Sequence, residues 1–107
     1  MRRVYIAGPI TGVDDYRERF AAVETTLQQL SVEPVNPACA PEGLTYRRYI
    51  DRGLELLFGC DSICMLQGWH KSVGASLEKA YADAVGLPVI YAIIDEAGGV
   101  QIYGGAI

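Results

Sequence analysis

"DSICMLQGWHKSVGASLEKAYADAVG", residues 61–86, decides how this chain folds. Within residues 61–67, Ile63 to Leu66 are an unbroken apolar run with no polar face, and the segment is short enough for a strand. Such a run suits a strand covered on both sides, as in a parallel sheet between two helix layers. A loop carrying Gly68, Trp69 and His70 follows, and Ser72 then opens a helix that stops near Val85-Gly86. Serine is a favoured N-cap and glycine a favoured C-terminal stop. Two residues inside that helix ask for a reason. Gly74 costs roughly 1 kcal/mol relative to alanine, so something has to approach the backbone there. Glu78 lies one turn further on the same face, and its side chain leans back toward the helix start.

The rest of the chain repeats the alternation. Strands are read at 2–8, 32–36, 87–94 and 100–104, the last at an edge, from β-branched and aromatic runs bounded by glycine and proline. One helix spans about 14–31, with Tyr16, Phe20, Val23, Leu27 and Leu30 as its buried stripe. Another spans about 45–58, with Tyr46, Ile50, Leu54 and Leu57 on one side. The order predicts a single Rossmann-like domain over 1–107. It has three layers, flavodoxin-like strand order and a parallel sheet of four to five strands. Ligands in such sheets bind beyond the carboxyl ends of the strands, where the strand order reverses. If the first strand lies beside the third, "AGPITGVDD" and "QGWHKSVGA" meet at that point.

Each candidate there has a plain structural reading beside the functional one. Ser72 is an N-cap, or it and the free amides of Val73, Gly74 and Ala75 hold an anion such as phosphate. Glu78 is a solvated glutamate near a helix start, or a carboxylate aimed into the crevice and kept ionised by the helix N-terminus. Gly8 and Gly12 serve turn geometry, or let amides face a ligand. "GPITG" is neither the GxGxxG of dinucleotide folds nor a P-loop. Trp69 stacks on a nucleobase or caps a dimer contact. Asp14, Asp15 and Asp51 are candidate acids, Asp61 bonds nearby amides, and His70 reads as an exposed loop histidine.

Net charge is −4, with seven arginines and seven acids up to Arg52, and two lysines against six acids from Gly53 onward. No basic stripe appears, which excludes a nucleic-acid polymer as the expected partner. Cys39, Cys60 and Cys64 have spacings that suit neither zinc nor a redox pair. They read as buried free thiols in a reducing compartment, with Cys60 and Cys64 on one face of a strand. His70 is the only histidine, so no metal is expected, nor any cofactor. "MRRVYIAGPI" has too short an apolar run for a secretory leader, and no stretch is long enough to span a membrane, so a cytoplasmic protein is expected. A small core and exposed tyrosines such as Tyr103 suggest a homodimer or larger assembly.

"VYIAGPITG" at 4–12, "CDSICMLQGW" at 60–69 and "SVGASLEKAYA" at 72–82 resemble the nucleoside 2-deoxyribosyltransferase-like superfamily, and within it small phage and bacterial members. The likeness runs over nearly the whole chain. It implies a nucleoside or nucleotide substrate and makes Glu78 the nucleophile that attacks the anomeric carbon. It implies that Tyr5, Gly8, Ile10 and Gly12 line the sugar and base. Transferases acting on free nucleosides carry aspartate where this chain has Ser72. Serine resembles the branch that hydrolyses deoxynucleoside 5′-monophosphates, and a serine hydroxyl can donate to a phosphate that aspartate would repel. Many relatives place an aspartate eight residues before the aspartate of "CD". Here that position is Gly53, which passes the role of helping the base leave to Asp51 or Asp15. The expected substrate-side set is therefore Tyr5, Gly8, Ile10, Gly12, Trp69, Ser72 and Gly74, with Glu78 and Asp51 catalytic. Two alternatives stand beside this N-glycosidase or deoxyribosyltransferase. One is a nucleotide-binding module that has lost catalysis; the other is a ribonucleotide phosphoribohydrolase.

Overall fold

The computed structural model describes residues 1–104, so the last three residues of the expected domain lie outside it. Five strands and three α-helices alternate: β1 (Arg3–Ala7), α1 (Tyr16–Gln29), β2 (Glu33–Val35), α2 (Tyr46–Phe58), β3 (Ser62–Leu66), α3 (Val73–Val85), β4 (Val89–Ile94) and β5 (Val100–Gly104). Short 3-10 turns at Pro37–Cys39 and Trp69–Lys71 lie in the segments read as loop. The sheet order is β2-β1-β3-β4-β5. The first four strands run parallel. The mixed α/β sheet is therefore of the expected class, and its order reverses between β1 and β3.

β5 departs from the parallel expectation by pairing antiparallel with β4, from Ile94 opposite Val100 to Ile90 opposite Gly104. The connection is only residues 95–99, and a parallel crossover takes about a dozen. The Asp95 carboxylate closes this hairpin by accepting from the amides of Ala97 at 2.9 Å and Gly99 at 2.8 Å.

Alternation along the strands divides the core. Val4 and Ile6 of β1 and Cys64 and Leu66 of β3 face α1, where they meet Phe20, Val23 and Leu27. Tyr5 and Ala7 with Ile63 and Met65 face α2 and α3, where they meet Leu57, Ala75 and Ala82. Every residue of β3 is buried, as a strand covered on both faces requires. Cys60 and Cys64 do not share a face: Cys60 belongs to the α2–α3 side and Cys64 to the α1 side. Cys60 precedes the strand, in the turn where its amide bonds Leu57, so strand alternation does not reach it. Cys39 is exposed rather than buried. Leu30 is also exposed, because α1 ends at Gln29 and Ser31 turns with φ 62°.

Candidate functional site

A cavity of about 460 Å³ opens at the carboxyl ends of β1 and β3, between the two glycine-bearing loops. That volume is within the usual range for small-molecule sites, about 300–1,000 Å³. The loop after β1 contributes Gly8, Pro9, Ile10 and Thr11 to its wall; α1 contributes Tyr16 and Phe20. The segment after β2 contributes Pro37, Ala38 and Ala40. α2 presents Tyr46, Tyr49, Ile50, Arg52 and Gly53, and the start of α3 presents Ser72 to Ala75 and Glu78.

Glu78 is the one carboxylate among the described lining residues. It is only 9% exposed, which rules out the solvated reading. Beneath it Tyr5, buried on β1, donates its hydroxyl to Glu78 Oε2. Burial raises the Glu78 carboxyl above the ordinary 4.5 and the Tyr5 hydrogen bond offsets part of that rise, which leaves it at about 7. Burial also raises the Tyr5 hydroxyl, helped by the adjacent Glu78 charge. Burial therefore outweighs the help expected from the helix N-terminus. Val73 is the first helical residue, so Glu78 lies in the second turn, and the dipole's influence fades within the first.

Three glycines bring the backbones together around this pair. A Cβ on Gly8 would stand 2.7 Å from Leu66 Cβ, so Gly8 lets the ends of β1 and β3 converge. A Cβ on Gly53 would stand 2.6 Å from Glu78 Oε2 and 2.9 Å from Tyr5 Oη. Gly74 answers its own question: a Cβ there would meet Ile50 Cδ1 at 2.9 Å. What approaches the Gly74 backbone is thus a side chain of α2.

The mouth is cationic. The Ser72 side chain accepts from the Ala75 amide at 3.2 Å, which caps α3 and leaves its hydroxyl hydrogen free to donate. The first amides of α3 have no intrahelical partner by geometry. Lys71 lines the cavity beside them, and Arg52 lines it from α2 while donating to the Pro37 carbonyl at 3.0 Å.

Of the residues singled out from sequence, the cavity gathers Tyr5, Gly8, Ile10, Ser72, Gly74 and Glu78. It does not gather Gly12, Trp69 or Asp51. Gly12 adopts φ +79° with nothing near its Cβ position, so it serves the turn. Trp69 packs on the α2–α3 core, with Lys79 Nζ 5.7 Å from its ring centre, because the 3-10 turn carries it outward. Asp51 lies 3.7 Å from Arg47 Nε on the outer side of α2, and Asp15 bonds Arg19 at 3.1 Å. Asp61 accepts from the Arg3 amide at 2.9 Å, and His70 is exposed. Sequence reasoning missed Tyr49, Arg52 and Lys71, and put Tyr46 and Ile50 on one side of their helix without assigning them to the site. The available signal was the recurrence of Tyr46, Tyr49, Ile50 and Gly53, one helical face that ends in a glycine.

The chain shares its fold with solved structures. It aligns with a 2-desoxiribosyltransferase from Leishmania mexicana at TM-score 0.68 and 18% identity, over 97% of this chain and 81% of that one. A 2-deoxyribosyltransferase from Bacillus psychrosaccharolyticus aligns at TM-score 0.62 and 17% identity, over 81% of this chain and 69% of that one. A conserved protein from Enterococcus faecalis V583 aligns at TM-score 0.65 and 25% identity, over 83% of this chain and 61% of that one. Among the curated proteins none matches. The fold is thus one that two 2-deoxyribosyltransferases also have. With its profile matching residues 2–91, the chain belongs to the family described as Domain of unknown function (DUF4406).

Proposed function

We propose that this protein cleaves or transfers the N-glycosidic bond of a deoxynucleoside 5′-monophosphate, with Glu78 as nucleophile. The observation that carries the reading is the Tyr5–Glu78 pair in the cavity wall, one turn below a capped helix N-terminus. A deprotonated Glu78 oxygen attacks the anomeric carbon. The carbon–oxygen bond forms as the carbon–nitrogen bond breaks, and the electron pair leaves on the base, which takes a proton from water. A water or a second base then attacks the same carbon. The ester bond breaks, the carboxylate returns, and the attacking group loses its proton to solvent. Ser72, Lys71 and the first amides of α3 offer donors and positive charge for the 5′-phosphate. The fold shared with two deoxyribosyltransferases supports the sugar-transfer chemistry. Asp51 stands outside the wall, so the leaving base takes its proton from solvent.

The absence of a second carboxylate among the described lining residues favours a second reading, a nucleotide-binding module without turnover. A panel of ribo- and deoxyribonucleosides and their 5′-monophosphates, read for free base by chromatography and for binding by calorimetry, separates the two. Release from deoxynucleoside monophosphates that disappears in Glu78→Gln while binding persists is the expected result. Binding without release supports the module, and neither binding nor release removes both. Assembly into a homodimer or larger oligomer belongs to the proposal as well. Exposed Phe58, Val73 and Leu77 support it, and light scattering at micromolar concentration tests it.

A further inference from the structure

We infer that Gly53 is a positioning residue for Glu78, a role that rests on Glu78 being the nucleophile. Gly53 is buried in the middle of α2, where its backbone has no positive φ, so conformation does not call for glycine. Space does. A Cβ at this position would meet Glu78 Oε2 at 2.6 Å and Tyr5 Oη at 2.9 Å, the two ends of one hydrogen bond. The backbone of α2 is therefore the third member of the arrangement. Tyr5 holds Oε2 from the sheet, and α2 closes over the same oxygen. Oε1 accepts no hydrogen bond from a described residue, which leaves it as the oxygen that attacks. Any side chain at 53 either forces the carboxylate off Tyr5 or lifts α2 from the sheet. Gly74 differs, because its Cβ position meets only the flexible end of Ile50.

The test is Gly53→Ala made in two backgrounds, the natural chain and the Tyr5→Phe/Glu78→Ala variant. In the natural chain it lowers the melting temperature by at least about 5 °C. It also lowers kcat for base release at least about tenfold while KM stays within about threefold, because the substrate-facing wall is kept and the attacking atom is displaced. In the second background both colliding oxygens are gone. Alanine is the better helix former, so the same change leaves the melting temperature unchanged or raises it. A similar fall in both backgrounds overturns the inference, as does a raised KM with kcat intact. If Gly53→Ala does not fold in the natural chain, the inference stands only if it folds as well as its parent in the second background. If the natural protein releases no base, the proposed function fails, and the reversal of sign still decides whether Gly53 holds the pair.

Discussion

The two faces of the sheet are covered in different ways. On the α1 face, Val4, Ile6, Phe20, Val23 and Leu27 make an apolar contact with Cys64 as its one sulfur atom. On the α2–α3 face, the same strands bury a tyrosine hydroxyl against a carboxylate, under helices that approach through Gly53 and Gly74. Burying apolar area stabilises at about 25 cal/mol per Å². Burying a titratable carboxyl costs unless it is paired or neutral. Both faces have an apolar core, but only the second also buries a carboxyl, which costs part of the stability that its packing supplies. Stability sacrificed at one site and made up elsewhere is a common mark of function.

The largest expected effect lies on the first face. Phe20 is fully buried between α1 and the sheet, and Phe20→Ala should cost about 3–5 kcal/mol, as large aromatic truncations do. Denaturant unfolding measures it. A cost below about 1 kcal/mol would mean that the α1 face contributes little to stability.

The second effect has the opposite sign. Glu78 titrates near 7 in the folded protein against 4.5 ordinarily. Between those values the native state holds a proton that the unfolded chain has released, so this group's contribution to stability falls as pH rises from about 4.5 to about 7 and is flat above. The full loss is on the order of 3 kcal/mol. Glu78→Gln cannot ionise. It should therefore match the natural protein near pH 4.5 and exceed it by several degrees in melting temperature at pH 8. Equal melting temperatures at both pH values would place Glu78 in a more polar setting than its burial implies.

The same titration governs the proposed reaction. Base release needs the ionised carboxylate, so its rate should rise with pH and level off above about 7. The Tyr5 hydroxyl lowers the Glu78 value, so Tyr5→Phe should move the acid limb to higher pH as well as slow the plateau. A limb that stays in place would separate Tyr5 from the ionisation of Glu78.

How much of this was legible in the sequence follows from what each signal measures. The β3 run, the stripe of Phe20, Val23 and Leu27, and the caps Ser72 and Gly86 report local period and local geometry, and the structure has them at the expected positions. β1 beside β3 followed from topology rules. The orientation of β5 did not, because the length of the 95–99 connection sets it and strand propensity does not carry that information. Trp69 lies outside the cavity wall because a 3-10 turn sets its direction, and no periodicity announces one. Arg52 and Lys71 reach the cavity on long side chains that sequence spacing does not aim. Gly53 was read as something missing from a motif. Only the coordinates of Tyr5 and Glu78, far away in sequence, show it as a contact.

The smallest effect concerns Ser72, where the two readings of one residue part. As an N-cap alone, Ser72→Asp should be nearly harmless, because aspartate caps about as well as serine and suits the helix dipole. The cap seen here, Ser72 accepting from the Ala75 amide, is one that an aspartate oxygen can also make. With a phosphate at the mouth, the same change sets two negative charges in contact. At about 4 Å and an effective dielectric near 20 the repulsion is on the order of 4 kcal/mol, reduced by solvent and by nearby cations. Lys71 is such a cation, and it lines the same wall. The variant should keep its melting temperature and lose monophosphate affinity by at least about tenfold, which takes only roughly 1.4 kcal/mol. Its affinity for the unphosphorylated nucleoside should change much less, since the nucleoside brings no second charge. Calorimetry on the two proteins with the two ligands measures all four values, and a folding defect would lower both affinities together. Equal loss for both ligands, or loss for neither, would take the phosphate away from α3 and leave Ser72 as a cap.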